Sequence, residues 1–352
     1  MLRFLARAAT LFTLAASAFA CASAGTDSGT TSSTGAGGTS GNGGSGGTTS
    51  TGGTGGTGGT MGTGGSGGTG GSTHTVAPSG CVTEVSAGHH AFDCAGIHYD
   101  VEVPDACAMG GCGVVLDIPG YTSNGDEEDL GTNMRALGQQ HGYVIVQPTP
   151  PGLPATWVQS VDNPKLMSFV TDVTTAFAID PKRVHVMGFS QGGALAWGLI
   201  CAHADTLASA ASLAAASPWV ANYQGCDLVA PAVPSQVIPV LQVHGHNDLV
   251  VNFSAYALTQ LDAAQKLWGW SDDSGVIFKT GDGYEATRFT GASGVVYELW
   301  EHDYMAANTL GGHCFPGGAP VGVLWNNYGC SPPNGFVYGE VAMQFFRDHP
   351  KD

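Results

Sequence analysis

The sequence predicts an α/β domain with a mostly parallel central sheet and helices on both faces. Two observations carry this: apolar, β-branched runs alternate with helical stretches, and the polar motifs fall where such runs end. Gly113-Val114-Val115-Leu116-Asp117-Ile118 reads as a buried parallel strand that leaves into Pro119-Gly120-Tyr121. Residues 130–141 have helical spacing through Leu130, Met134, Leu137 and Gly138. Tyr143-Val144-Ile145-Val146-Gln147 is the next strand, stopped by Pro148, Pro150 and Pro151. Residues 166–177 form an amphipathic helix. A strand at Arg183-Val184-His185-Val186-Met187 and a helical stretch at 193–200 follow, and further strands lie at 237–245 and 295–300. In such sheets ligands sit beyond the carboxyl ends of the strands.

Ahead of that domain the composition changes abruptly. Much of the chain's complement of 55 glycines lies between Gly25 and Gly71, in a tract of Gly, Thr and Ser. The tract has almost no apolar surface to bury, cannot offset the entropy of ordering, and is expected to be a flexible tether. No collagen-like period with proline runs through it. Before it, Arg3 and Arg7 form a positive n-region, residues 8–20 are a short apolar run, and Ala18-Phe19-Ala20 supplies small residues before a cut. The run is too short for a membrane span. Residues 1–20 are therefore expected to be a signal peptide, 21–78 a Gly/Thr/Ser-rich linker, and 79–352 one folded domain with a sizeable core. Cys21 directly follows the cut. This arrangement resembles that of bacterial lipoproteins, which implies lipidation of Cys21 and attachment to a membrane; ordinary secretion is the alternative.

Lys and Arg total 11 against 28 Asp and Glu, a net charge of −17. Such a surface repels a phosphate backbone, so nucleic acid is not an expected partner, whereas a neutral polymer or small ester is indifferent to it. Nine cysteines less Cys21 leave an even number, in keeping with an oxidising compartment. Pairing of sequence neighbours suggests Cys81–Cys94, Cys107–Cys112, Cys201–Cys226 and Cys314–Cys330. A zinc site at Cys107 and Cys112 would lack a second close ligand pair, and no metal or cofactor is expected.

Gly188-Phe189-Ser190-Gln191-Gly192 lies between the 183–187 strand and the 193–200 helix. In that strand–turn–helix context the G-x-S-x-G pattern marks the nucleophile elbow of an α/β-hydrolase. The alternative is a serine that caps a buried helix. A serine nucleophile needs a base to take its proton and a carboxylate to hold the base in the correct tautomer. In α/β-hydrolases the chain order is Ser, acid, His. Asp248, in the turn His244-Gly245-His246-Asn247-Asp248, suits the acid, with a turn-forming role as its alternative. Asp272, Asp273, Asp282 and Asp303 are less well placed. His313, in the loop Gly311-Gly312-His313-Cys314-Phe315-Pro316, suits the base; His302 is its rival, and His246 is a turn residue beside the acid. An oxyanion pocket needs two backbone N–H groups, expected from Gln191 and Tyr121, since Pro119 has none. Trp157, Phe189, Trp219 and Phe315 are candidates for substrate contact, with core packing as the alternative for each.

The run Asp180-Pro181-Lys182-Arg183-Val184-His185-Val186-Met187-Gly188-Phe189-Ser190-Gln191-Gly192-Gly193 resembles the elbow region of the poly(3-hydroxybutyrate) depolymerase-like esterases, which are grouped with feruloyl and acetylxylan esterases. His244-Gly245 through Asp248 and Val250 is similar to that family's acid loop, and Gly312-His313-Cys314-Phe315-Pro316-Gly317 to its histidine loop. The resemblance spans roughly 113–318. It implies an α/β-hydrolase fold and a serine esterase with Ser190, Asp248 and His313 as triad. Three features depart from the pattern: Pro119-Gly120 stands where the family has His-Gly, Phe315 where it has Trp, and residues 305–310 read as an insertion. The expected activity is hydrolysis of carboxylic esters through an acyl-enzyme. A polyhydroxyalkanoate-type polyester or its oligomers is the first expectation, and feruloyl or acetyl esters on plant polysaccharide are the alternative. A non-catalytic surface-binding protein on the same scaffold is the reading from another class. A peptidase is disfavoured because no propeller or lid domain is present to select peptides.

Overall fold

The computed structural model describes residues 75–215, 234–271, 274–319 and 328–352. The strands are β1 Gly88–Cys94, β2 Ile97–Val103, β3 Gly113–Ile118, β4 Tyr143–Thr149, β5 Val184–Phe189, β6 Ser209–Leu213, β7 Val240–Gly245, β8 Val276–Gly281, β9 Tyr284–Thr290 and β10 Val296–His302. They form one sheet in the order β1-β2-β4-β3-β5-β6-β7-β10-β9-β8. From β4 to β10 every neighbour is parallel. Both edges are antiparallel ribbons. β1 and β2 are joined by Ala95 and Gly96, both at positive φ (52° and 81°), the conformation that a two-residue hairpin turn requires.

The helices are α1 Gly125–Thr132, α2 Met134–His141, α3 Gln159–Ala176, α4 Gln191–His203, α5 Leu258–Trp268 and α6 Tyr338–Asp348. Side chains of a strand alternate between faces, and each face here is covered. On β3, Val114 and Leu116 enter the core that Leu166, Phe169, Leu195 and Trp197 of α3 and α4 complete. Val115 enters the opposite core, closed by Met134 and Leu137 of α2 and Met343 and Phe346 of α6. β5 splits the same way, Val184 and Val186 to the first core and Met187 and Phe189 to the second. This is the α/β-hydrolase fold.

Three local expectations are corrected. The helix expected over 130–141 is two helices, broken at Asn133, whose φ of 54° is tolerated by Asn and whose N–H bonds Asp129 O at 2.6 Å. β4 continues through Pro148, which pairs with Tyr99 of β2. The ladder to β3 has already ended at Val146, so no bond on that side is lost. α3 begins at Gln159, not 166, because Asp162 holds its first turn: Oδ2 accepts from the Val158 N–H at 2.8 Å and Oδ1 pairs with Lys165 at 3.0 Å. Three disulfides join sequence neighbours as expected, Cys81–Cys94, Cys107–Cys112 and Cys314–Cys330. Cys226 lies outside the described residues, as do Cys21 and Trp219.

A buried acid pair lies at the end of β3, a strand inside the sheet. Asp117 Oδ2 accepts from Thr132 Oγ1 and Gln147 Nε2, each at 2.9 Å, and Glu128 of α1 is buried beside it, with Asp117 Oδ1 and both Glu128 carboxyl oxygens unpartnered among the described residues. Burial pushes Asp117 up to about 6 and Glu128 well above the usual carboxylate range. The folded-state values lie above the unfolded ones, near about 4. The pair's contribution to stability is therefore complete below those unfolded values and is lost as pH rises through the folded ones. Glu128→Gln places an amide of the same size beside Asp117 with no proton to lose. The thermal midpoint of this variant, taken relative to the wild type, is expected to rise as pH is raised above about 5, as the wild-type acid is forced to lose its proton. Parallel midpoint curves would show that the pair does not titrate in this range.

Candidate active site

Ser190 sits between β5 and α4 with φ 54° and ψ −116°, a backbone region that non-glycine residues adopt only when their surroundings impose it. Here the surroundings do. The Ser190 N–H donates to Leu213 O at the end of β6 at 2.9 Å, and Ser190 O accepts from the Ala194 N–H at 3.1 Å. Gly192 lies so close to Ile118 O that any Cβ would collide with it. Gly120 faces Ser190 across the same crossing, where a Cβ would stand 3.3 Å from Ser190 Cβ. The β3 end thus meets α4 backbone to backbone at Gly192, and the β3 loop packs against Phe189 and Ser190 at Gly120.

β7 and β10 are parallel neighbours, with Gly245 level with His302. Their trailing loops therefore meet, and they are laced by backbone bonds: Gly312 N–H to Asn247 O at 2.8 Å and Leu249 N–H to Leu310 O at 3.3 Å. The lacing brings Asp248 and His313 together, with His313 Nδ1 2.8 Å from Asp248 Oδ2. Asp248 Oδ1 accepts the N–H groups of Val250 and Val251 at 2.8 and 2.7 Å. His244 Nε2 lies 3.4 Å from Oδ2 and 2.7 Å from Val251 O. Burial raises the Asp248 pKa, but the hydrogen bonds and charges of His244 and His313 outweigh it and hold this carboxyl well below the usual range. Asp248 is thus ionised, and His313 carries its Nδ1 proton toward it.

The His313 ring lies 4.7 Å from that of Phe189, the side chain immediately before Ser190. Phe315 and Tyr328 close the other sides of Phe189 at 4.3 and 5.1 Å. The Ser190 hydroxyl is not hydrogen-bonded to His313 among the described residues. Cys314, the next residue, is tied to Cys330, and Phe315 N–H bonds Tyr328 O at 2.6 Å, so the histidine loop is clamped on both sides.

The rival bases are placed elsewhere. His302 is sealed beneath the acid loop with both ring nitrogens unpartnered among the described residues, and burial pushes it down to about 3. It is a neutral core residue. His246 is half exposed and bonds Asp303 at 2.9 Å and Glu301 at 3.3 Å, which pushes it up to about 9 and leaves it charged at neutral pH. Asp303 is consumed by that pair, and Asp272 and Asp273 lie outside the described residues. Of the aromatic candidates, Trp157, Phe189 and Phe315 are all buried. Tyr121, on the loop after β3, is 47 % exposed. The contact of His244 with Asp248 and the place of Tyr328 beside His313 had no assigned role in the sequence. His244 stands in the acid motif at i−4, but only the turn geometry reveals its contact.

Comparisons with known proteins agree with this architecture. Residues 162–281 match the family model described as phospholipase/carboxylesterase. A bifunctional acetylxylan esterase/xylanase of Neocallimastix patriciarum is 26% identical over 142 residues, which cover 40% of this chain and 20% of that protein. The chain therefore spans only a small part of that relative. An acetyl xylan esterase from Aspergillus awamori has a similar structure, with a TM-score of 0.51 at 15% identity over 72% of this chain and 96% of that one.

The clamp on the histidine loop is testable. Replacing Cys314 and Cys330 together by Ser is expected to cost about 2–4 kcal/mol of stability, measured by chemical denaturation under non-reducing conditions. An unchanged midpoint would show that the backbone bonds alone hold the loop.

Proposed function

We propose that the protein is an exported serine esterase that hydrolyses carboxylic esters through an acyl-enzyme. The observation that supports this most is the Asp248–His313 hydrogen bond beside the strained Ser190 turn, at the carboxyl end of a parallel sheet. Ser190 Oγ attacks the ester carbonyl while His313 Nε2 takes its proton and passes it to the leaving alkoxide. Asp248 keeps the Nδ1 proton in place and stabilises the imidazolium that forms. The N–H groups of Tyr121 and Gln191 receive the tetrahedral oxyanion. His313 then activates water, which releases the acid and restores Ser190.

A polyhydroxyalkanoate-type polyester or its oligomers is favoured by the mouth of the site. Tyr121, Leu153, Leu249, Val250 and Met305 are exposed on the loops that follow β3, β4, β7 and β10. Exposed apolar side chains gathered around one site suit an uncharged, apolar polymer. The second reading, acetyl esters on plant polysaccharide, is favoured by the name of the Neocallimastix patriciarum relative. Feruloyl esters belong to the same test.

Ser190→Ala is expected to lower turnover of p-nitrophenyl acetate and butyrate by at least about a thousand-fold with the fold intact. Equal turnover by the variant would remove Ser190 as the nucleophile, and no turnover by the wild type would favour a binding protein. Release of acid from polyhydroxybutyrate, methyl ferulate and acetylated xylan by the wild type then separates the substrate classes.

Export is supported by the three disulfides among the described residues, and Cys21 is the proposed lipid acceptor. Mass spectrometry of the mature N-terminus is expected to find a diacylglyceryl group on Cys21. An unmodified start at another residue would exclude the anchor.

A further inference from the structure

We infer that Gln191 and Trp157 are positioning residues: they tie the elbow and the β3 loop to one brace, the 150–157 loop, and so hold both backbone donors of the oxyanion pocket at a set spacing. The inference rests on the proposed serine mechanism and adds to it two side chains that touch no reacting atom.

The brace is built from bonds at both ends. On the elbow side, the Gln191 carboxamide spans the backbone of Trp157: Oε1 accepts the Trp157 N–H at 3.1 Å and Nε2 donates to Trp157 O at 3.3 Å. The Thr156 hydroxyl is within 3.1 Å of Nε2 and 3.3 Å of Oε1. On the β3 side, the buried Trp157 indole donates Nε1–H to Pro119 O at 2.8 Å, and Ala155 O accepts the Thr122 N–H at 2.8 Å. One loop thus carries bonds to the residue after the proposed nucleophile and to the residues flanking Gly120 and Tyr121.

The geometry matters because a trans peptide points its C=O and its N–H in opposite directions. A carbonyl held in place therefore aims the next amide. Pro119 O is held by the indole, which aims the Gly120 N–H. Gly120 O is held by the Ser123 N–H at 3.3 Å, which aims the Tyr121 N–H outward from the turn. The Gln191 N–H is the first of α4, and the first N–H groups of a helix have no partner within it. Donors set before the reaction stabilise developing charge without reorganising during it, so small changes in their spacing act on the transition state and spare substrate binding.

The test compares wild type, Trp157→Phe, Gln191→Ala and Gln191→Glu, with Ser190→Ala as control. Trp157→Phe removes the indole donor and keeps a ring. Gln191→Glu keeps the acceptor for the Trp157 N–H and loses the donor. Kinetics on p-nitrophenyl acetate are paired with inhibition by an aryl trifluoromethyl ketone, whose adduct with the serine carries a tetrahedral oxyanion. Trp157→Phe and Gln191→Ala are each expected to lower kcat by about 10- to 100-fold with KM within about twofold, and to weaken the ketone by the same factor. Gln191→Glu is expected to fall between Gln191→Ala and the wild type. The inference is overturned if Ser190 is essential yet both variants keep wild-type kcat and ketone affinity. It is equally overturned if activity falls only in proportion to folded protein, measured by near-UV circular dichroism. Activity retained by Ser190→Ala would instead overturn the proposed mechanism.

Discussion

The arrangement depends on one buried charge. Asp248 is almost wholly enclosed, and a carboxylate there stays ionised only if donors replace the water it has lost. Four do so: the N–H groups of Val250 and Val251 on one oxygen, and His313 and His244 near the other. Supplying them places demands on the rest of the fold. β7 and β10 must be parallel neighbours so that their loops meet, and the loops must approach closely enough to share backbone bonds. Gly245 and Gly312 allow that approach, since a Cβ on Gly312 would stand 2.9 Å from the Asp248 N–H nitrogen. The His313 tautomer then follows from the charge it faces.

The same logic links the elbow to the second core. Phe189 cannot be separated from Ser190. The strained turn lifts the serine backbone to the sheet's end while the preceding ring is driven down among His313, Phe315 and Tyr328. Packing around Phe189 therefore sets where the imidazole stands. It also gives a physical account of Phe315. The ring presses on α1, where a Cβ on Gly131 would lie 2.6 Å from it, so a larger indole at this position has no room on that side.

The parts of the fold legible in the sequence are those with uninterrupted apolar runs. β3, β4, β5, β7 and β10 are buried on both faces and leave strong signals. β1 and β2 were hidden by charge: His89, Asp93, His98, Asp100 and Glu102 share one face, and the alternating Phe92, Cys94, Ile97, Tyr99, Val101 and Val103 enter a core on the other. β6, Ser209–Leu213, is built of small residues that carry no β-propensity and is a strand because β5 and β7 flank it. β8 is exposed along its whole length and has no periodic signal to find. Ser190, Asp248 and His313 were legible because chain order restricts them to three loops. The ties from Trp157 were not, because a buried indole bonded to Pro119 O is indistinguishable by sequence from one that only packs.

Pro119 shows how the two halves of the site differ. On the acid side, long-range order comes from a charge and its donors. On the β3 side no charge is available at the loop, and Pro119 has removed one N–H, so order must come from carbonyls. The Trp157 indole takes one, the Ser123 N–H takes the next, and the Thr122 N–H bonds the opposite loop. Below them, Asp117 lies on β3 three residues before Gly120, and the Thr132 hydroxyl that it accepts fastens the end of α1 to β3 beside the buried Glu128. Burial makes a second charge beside Asp117 costly, so Glu128 keeps its proton well above the ordinary carboxylate range. The two sides therefore respond differently to pH: the Asp248 side keeps its ion across the neutral and mildly acid range, while the β3 side is best ordered where its acid pair retains a proton.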